Sequence, residues 1–414
     1  MSDPRPRLVT VSPHRAEGES VGLVMRTTVL ALLPATAVGA YVFGYRALVT
    51  VAISMATCVA FEALVQKLRR VKVTVSDGSA AVTGLLLALV LPPDVRWYVP
   101  VVGGLVAIGV GKQAFGGLGA NFFNPALVGR AFLQFAFPAQ VSLAKWPILA
   151  GPGMTGWARL VGDVRDAAGD SADAVTRATP LALLKDNPGL EWSAIEGASP
   201  FGAPLVWLLP TAAAAALFAV LVAGALAGLW LAWRKEMRAA GVAGVGALLL
   251  FGVVPTGNVS FGQVPGCIGE TSAWAILLGG LSLIHYRYIR WELPAVYVGT
   301  VALLALAIPM RAGDAWAGGL AGPFMPERVL AHVFGGGLFL GGFFMLTDMV
   351  TRPLTLKGQL ICGAAAGVLV VVIRFFAGYP EGVCYSILLA NAARPLIDRY
   401  TGPRTFGAGR GGKA

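Results

Sequence analysis

Several sets of residues in this chain have the types and spacing for chemistry. Asp173-Ala174-Val175-Thr176-Arg177-Ala178-Thr179-Pro180 places two hydroxyls and a carboxylate among small neighbours. Read alone, the stretch is a small-residue turn closed by Pro180. Asn121-Phe122-Phe123-Asn124-Pro125 sets two amides close together. Their donors and acceptors match the edge of a pyrimidine-like ring, or they cap a broken helix that Pro125 begins. Asp77-Gly78-Ser79-Ala80 and Glu270-Thr271-Ser272-Ala273 each stand ahead of a short apolar run. A carboxylate there caps free backbone N–H groups; Glu270, Thr271 and Ser272 are also candidates to line a cofactor site. Asp348 ends an apolar block, as an interfacial carboxylate or as a step on a cation path.

Other patterns carry no site. Gly109-Val110-Gly111-Lys112 hints at a phosphate loop, but no Ser or Thr follows the lysine and no strand is expected before it. Cys58, Cys267, Cys362 and Cys384 form no CxxC pair, so an iron–sulfur cluster or structural zinc within the chain is not expected. His14, His285 and His332 are too dispersed to suggest a ligand set, and no metal site is predicted. The Asn258-Val259-Ser260 triplet and the basic tail from Gly407 to Ala414 receive no role.

The elements that must hold these groups are membrane helices. Of 414 residues, 56% are hydrophobic and only 13% charged, and the mean hydropathy is +0.72. Soluble domains carry about 25% charged residues, and here the apolar residues come in long blocks. The net charge of +11 is explained by short basic clusters between those blocks, the pattern of cytoplasmic loops, and not by a nucleic-acid-binding face.

Apolar blocks fall at 22–43, 47–66, 79–91, 97–111, 126–139, 204–232, 239–254, 272–285, 294–309, 329–346, 358–376 and 381–391. They predict about ten spans, with short pieces such as 79–91 and 381–391 as broken or re-entrant helices surrounded by protein. With a cytoplasmic N terminus, inside loops receive Lys67, Arg69, Arg70 and Lys72, then Arg234, Lys235 and Arg238, then Arg287 and Arg290, then Arg352 and Lys357, and finally Arg394 and Arg399. The acidic 140–203 segment then falls outside. The first 20 or so residues are mostly polar, unlike a signal peptide, so the first apolar block is expected to remain as an anchor.

The two acidic motifs before short apolar blocks, and a Gly-rich turn later in each half, form a weak internal echo. Since the first half has an odd number of blocks, the second would be inverted. The predicted division is a cytoplasmic arm 1–21, a first membrane repeat 22–139, an outside loop 140–203, a second membrane repeat 204–398 and a cytoplasmic tail 399–414.

Longer motifs then carry a resemblance. Gly111-Lys112-Gln113-Ala114-Phe115-Gly116-Gly117-Leu118-Gly119 runs into Asn121 through Leu127 and Gly129-Arg130-Ala131-Phe132. Pro265 through Ser272, Phe343 through Asp348, Arg374, Tyr379-Pro380-Glu381-Gly382, Asn391 and Pro395 through Asp398 follow in order. With Ser12-Pro13-His14 at the start, this series closely resembles the NqrB/RnfD family, and within it the D subunits of Rnf complexes more than the B subunits of the sodium-pumping NADH:quinone reductase.

The resemblance implies an all-α polytopic membrane protein with a urea-transporter-like inverted repeat, in the bacterial inner membrane. It implies a subunit, not catalytic alone, of an ion-translocating (Na+ or H+) ferredoxin:NAD+ oxidoreductase, working with Rnf subunits A, B, C, E and G. Asp173, Thr176, Ala178 and Thr179 resemble the signal read by a periplasmic flavin transferase, which implies FMN joined to Thr179 through a phosphoester. Arg177 departs from the small residue more usual there and offers the phosphate a partner. Asn121 and Asn124 are then candidates for a second, non-covalent, riboflavin-like flavin. The covalent FMN would exchange electrons with the flavin of RnfG, and the ferredoxin and NAD sites would lie on other subunits. The rival readings are the quinone-reductase B subunit and a non-redox channel of the same fold.

Overall fold

In the computed structural model the described residues are 20–141, 266–270, 272–308, 310–312, 315–317, 329, 332–377 and 381–402. Asp173, Thr176, Ala178, Thr179 and Thr271, the apolar blocks at 204–232 and 239–254, and most of the 140–203 loop lie outside them. The described part is helical apart from a small antiparallel hairpin that pairs Met310–Ala312 with Ala315–Ala317.

The chain opens with α1 (Val21–Phe43), whose start is fixed by Ser20 Oγ accepting from the Leu23 N–H at 3.2 Å. Then come α2 (Tyr45–Leu68), α3 (Ser79–Leu89), α4 (Tyr98–Gly109) and α5 (Pro125–Ala136). After the undescribed middle follow α6 (Ala273–His285), α7 (Glu292–Ala307), α8 (Leu356–Phe376) and α9 (Val383–Thr401). Among the described residues, four stretches are long and apolar enough to cross a membrane: Val21–Ala40, Tyr45–Leu68, Tyr98–Phe115 and Leu356–Phe376. Their outward faces are oily, with Leu30, Leu64 and Phe376 each at least half exposed, as lipid contact requires.

Two helices are too short to cross. α3 has 11 residues and α6 has 13, so each spans roughly 16–20 Å of a hydrocarbon core about 30 Å thick. α3 lies inside the protein instead, every residue except Ala81 being buried, whereas α6 buries one face and leaves Leu278 exposed. Close packing depends on glycine at two crossings. A Cβ at Gly84 of α3 would stand 2.6 Å from Met55 Cα of α2, and one at Gly279 of α6 would stand 1.9 Å from the Ala31 carbonyl oxygen of α1. Small residues at such contacts let membrane helices approach backbone to backbone.

α3 and α6 run in opposite directions. Beyond the end of α3, the Leu91 carbonyl accepts from the Ile268 N–H at 3.0 Å, just ahead of α6. Leu283, near the end of α6, lines the same cavity as Ser79 at the start of α3. Each short helix follows a three-residue turn that ends in a carboxylate, Val75–Asp77 and Ile268–Glu270. The carboxylates nevertheless act differently. Gly78 holds the N-cap position of α3, and Asp77 just ahead of it accepts from the Ser79 N–H at 2.8 Å. Glu270 does not cap α6: its Oε2 accepts from the Cys267 N–H behind it at 3.2 Å, and Ser272 Oγ caps the helix through the Ala275 N–H at 3.2 Å.

Two further expectations are corrected. The 329–346 block is no continuous span: helical residues 332–334 stop at Gly335–Gly337, after which Leu338–Leu340 runs on into a wide π turn at Gly341–Met345. The final element is not short either, for α9 has 19 residues. Its second half is polar, with Arg394 and Asp398 paired one turn apart at 3.3 Å, which is why apolarity alone ends it early.

Candidate functional site

The starts of α3 and α5, the ends of α4 and α6 and the segment after the π turn surround a cavity of about 90 Å³, room for roughly six ordered waters. Its polar lining includes Thr28 of α1, Ser79, Thr83, Lys112, Asn121, Asn124, Tyr288, Thr347 and Asp348. The apolar wall includes Leu86, Leu283, Phe343 and Phe344. The loop that brings Asn121 here depends on Gly116, Gly117 and Gly119, whose φ angles of +118°, +103° and +93° suit glycine alone.

The two asparagines divide their roles. Asn124 is the N-cap of α5: its Oδ1 accepts from the Ala126 and Leu127 N–H groups at 3.1 and 3.4 Å, with Pro125 in the first turn. Its amide nitrogen donates to the Met345 carbonyl at 3.4 Å, tying α5 to the π turn. Asn121 caps nothing. Its Nδ2 donates to the Phe123 carbonyl at 3.2 Å, while its Oδ1 is buried with no partner among the described residues. A buried acceptor left without a donor costs about 1–3 kcal/mol, so it is a place where a ligand donor gains most.

Behind the cavity wall lies an ionic group that the sequence reading passed over. Lys112 Nζ contacts both Glu62 oxygens, at 2.7 and 2.8 Å, and donates to Ser79 Oγ at 2.6 Å. Gln113 and Gln66 donate to Glu62 Oε1 at 3.0 and 3.2 Å, and Asp77 Oδ1 accepts from the Ser79 hydroxyl at 2.6 Å. The Lys112 and Glu62 side chains are 2% and 1% exposed, so the pair is fully desolvated. The available signal was one charge in each of two apolar runs; ionisable residues at membrane depth are rare and usually functional. Asp348, across the cavity, accepts from the Val350 N–H at 3.2 Å. Burial pushes its carboxyl up, against that hydrogen bond and the nearby Arg352 and Arg394.

A second polar cluster sits at the far ends of the short helices. Arg130 contacts Glu381 Oε2 at 3.5 Å, Cys267 Sγ at 3.9 Å and the Val141 carbonyl at 3.4 Å. Arg374 donates to the Glu381, His332 and Gly335 carbonyls. Gly266 and Gly337 press on Glu270: added Cβ atoms would stand 2.6 and 3.1 Å from its two carboxylate oxygens. Ligand atoms of Cys267, Glu270 and Glu381 lie within 4.8 Å of one another, yet the Arg130 guanidinium already supplies their positive charge. Glu270 and Ser272 therefore stand apart from the cavity that holds Asn121, Asn124 and Asp348.

Known proteins share this sequence over nearly its whole length. Residues 8–407 match the model of the NQR2, RnfD, RnfE family. The chain is 39% identical to the D subunit of the proton-translocating ferredoxin:NAD(+) oxidoreductase complex of Clostridium ljungdahlii, over 97% of this chain and 96% of that one. It is 38% identical to the D subunit of the Na(+)-translocating ferredoxin:NAD(+) oxidoreductase complex of Acetobacterium woodii, over 96% and 95% of the two chains. A third relative, the D subunit of the ion-translocating oxidoreductase complex of Stutzerimonas stutzeri, is 36% identical over 95% and 94%. Two relatives of nearly equal similarity are thus named for different ions.

Proposed function

The chain belongs to the NQR2, RnfD, RnfE family, and from that premise we propose that it is the flavin-carrying membrane subunit of an ion-translocating ferredoxin:NAD+ oxidoreductase. Its role is to relay electrons between a covalent FMN on Thr179 and a non-covalent flavin in the Asn121 cavity. It works beside Rnf subunits A, B, C, E and G in a bacterial inner membrane, with a cytoplasmic N terminus, a periplasmic 140–203 loop and a flavin transferase for maturation. The names of its relatives support the reaction class and the place in the complex.

One observation carries the second flavin: a buried, unpartnered amide oxygen on Asn121, in a cavity with an apolar wall and a cation at its back. The residues fit such a group. Asn121 Oδ1 would accept from the imide N–H of the ring, and Phe343, Phe344 and Leu86 would cover its faces. Asn124 would act indirectly, since its oxygen is committed to α5; it positions the loop and does not read the ring. Once bound, the flavin supplies one- and two-electron transfer. The enclosed 90 Å³ is smaller than the roughly 300–1,000 Å³ of drug-sized ligand sites. Seating the ring therefore requires rim side chains to turn outward, and Leu118 and Met349, 38% and 41% exposed, stand where they can.

The test is a flavin count on the purified complex, made together with its flavin transferase. Acid precipitation should leave fluorescent flavin on this subunit's band in a denaturing gel and release a second flavin to the supernatant. Thr179→Ala should remove the band's fluorescence and spare the released flavin. A subunit with neither flavin is a non-redox scaffold or channel, and the proposal fails.

A further inference from the structure

The Lys112–Glu62 pair has no part in the binding contacts just described, and burying two charges has a price. Taking one ion out of water costs several kcal/mol even after relaxation, and apolar residues of similar size would often be as stable. Helix packing therefore gives little reason for it. Its orientation is informative. Lys112 and Ser79 line the cavity, whereas Glu62 stands behind them, fixed by Gln66 and Gln113. The cavity is thus offered a cation whose counter-ion is held on the far side. Asp348 is the carboxylate that faces the cavity across from it.

We propose that Lys112 is an electrostatic positioning residue for electron transfer at this site, its ammonium offsetting the negative charge that the bound ring gains on reduction. The inference rests on the cavity holding a flavin. Full reduction of a neutral ring would add two electrons from the complex's own donor and one proton from water, leaving one net negative charge. Lys112 would offset that charge without giving up a proton of its own. Glu62 sets the strength of the effect, because it cancels part of the cation's field. Removing Lys112 should therefore weaken binding of the reduced ring, and neutralising Glu62 should strengthen it. A purely structural ion pair gives no such opposition, since breaking it from either side costs the same kind of packing.

The experiment measures retention of the acid-releasable flavin by the assembled complex during gel filtration, oxidised and then reduced with dithionite. In wild type the flavin should be retained in both states. In Lys112→Met the ratio of reduced to oxidised retention should fall on the order of tenfold, since an opposite charge at this range shifts an equilibrium by one to three decades. Lys112→Arg should restore most of the ratio, and Glu62→Gln should raise it above wild type. If a lone buried charge prevents assembly, the double variant Glu62→Gln/Lys112→Met removes both charges, and its ratio should still lie below wild type. Equal ratios in every variant with full flavin content overturn the role of Lys112 and leave the flavin site standing. A wild-type complex that releases no flavin overturns the site itself, and the inference with it.

Discussion

The cavity behind Asn121 and the cluster around Arg130 are built from similar parts. Each lies where a carboxylate-ended turn opens a short helix, each contains desolvated charges, and α3 and α6 run between them in opposite directions. They differ in what is left over. At the Arg130 end the groups close on one another: guanidinium on carboxylate and thiol, glycines against both oxygens of Glu270, Arg374 on three carbonyls. At the Asn121 end the ions are also paired, but the asparagine keeps an unpartnered acceptor and lines a cavity. A closed cluster holds a fold together, whereas an incomplete one has room for a guest.

Substitutions can break this contrast or sharpen it. A large loss is expected at the closed end: Arg130→Met leaves buried Glu270 and half-buried Glu381 without their cation, and removing one partner of a buried pair costs about 3–5 kcal/mol. Thermal denaturation of the detergent-purified complex should show it as lost assembly or a sharply lowered midpoint, with the releasable flavin lost only alongside the fold. Gly279→Ala comes next. Its Cβ would meet the Ala31 carbonyl at 1.9 Å, and overpacking of a tight core costs roughly 1–3 kcal/mol. The same assay should show a smaller drop. At the open end, Asn121→Ala removes an unpartnered acceptor and a single hydrogen bond, to the Phe123 carbonyl, so the flavin-free protein should lose only about 1 kcal/mol, while bound flavin falls severalfold. If the midpoint drops as far as in Arg130→Met, the open site is a structural cluster after all.

The smallest effect is expected at Asp348. Because burial raises its carboxyl, the folded state holds that proton more tightly than the unfolded state does. The ionised form is then disfavoured in the fold, and the loss grows as pH rises through the raised value. Asp348→Asn should match wild type at acid pH, where both carry a neutral side chain, and gain stability on it as pH rises. A pH series of melting midpoints checks the sign; an advantage confined to acid pH would contradict it.

Much of this was legible in the sequence because a membrane leaves few choices. The apolar blocks at 22–43, 47–66 and 358–376 became α1, α2 and α8 with small changes at their ends, since a long apolar run in lipid has to be helical. Short runs after Asp77 and Glu270 became short helices for the same reason, the first buried and the second half-buried. Less was legible where polar and apolar roles mix. The polar half of α9 is hidden because Arg394 and Asp398 satisfy each other, and the 329–346 block breaks at three consecutive glycines, Gly335–Gly337. In the site, Asn121 and Asn124 look alike as letters, but only the first keeps a free oxygen; which amide caps the helix depends on register. Glu62 lies 50 residues from Lys112, so no local pattern connects them. Glu270 read as a cap from its position, but Ser272 does that work and the carboxylate turns back toward Cys267.

The central claim is that the open end holds a flavin and the closed end holds none. An electron cryomicroscopy map of the intact complex, prepared without added flavin, tests it most directly. Tricyclic density is expected between Phe343, Phe344 and Leu86, with one edge within hydrogen-bond reach of Asn121 Oδ1 and Lys112 behind it. Water or lipid in that cavity, with the releasable flavin resolved elsewhere in the complex, would contradict it.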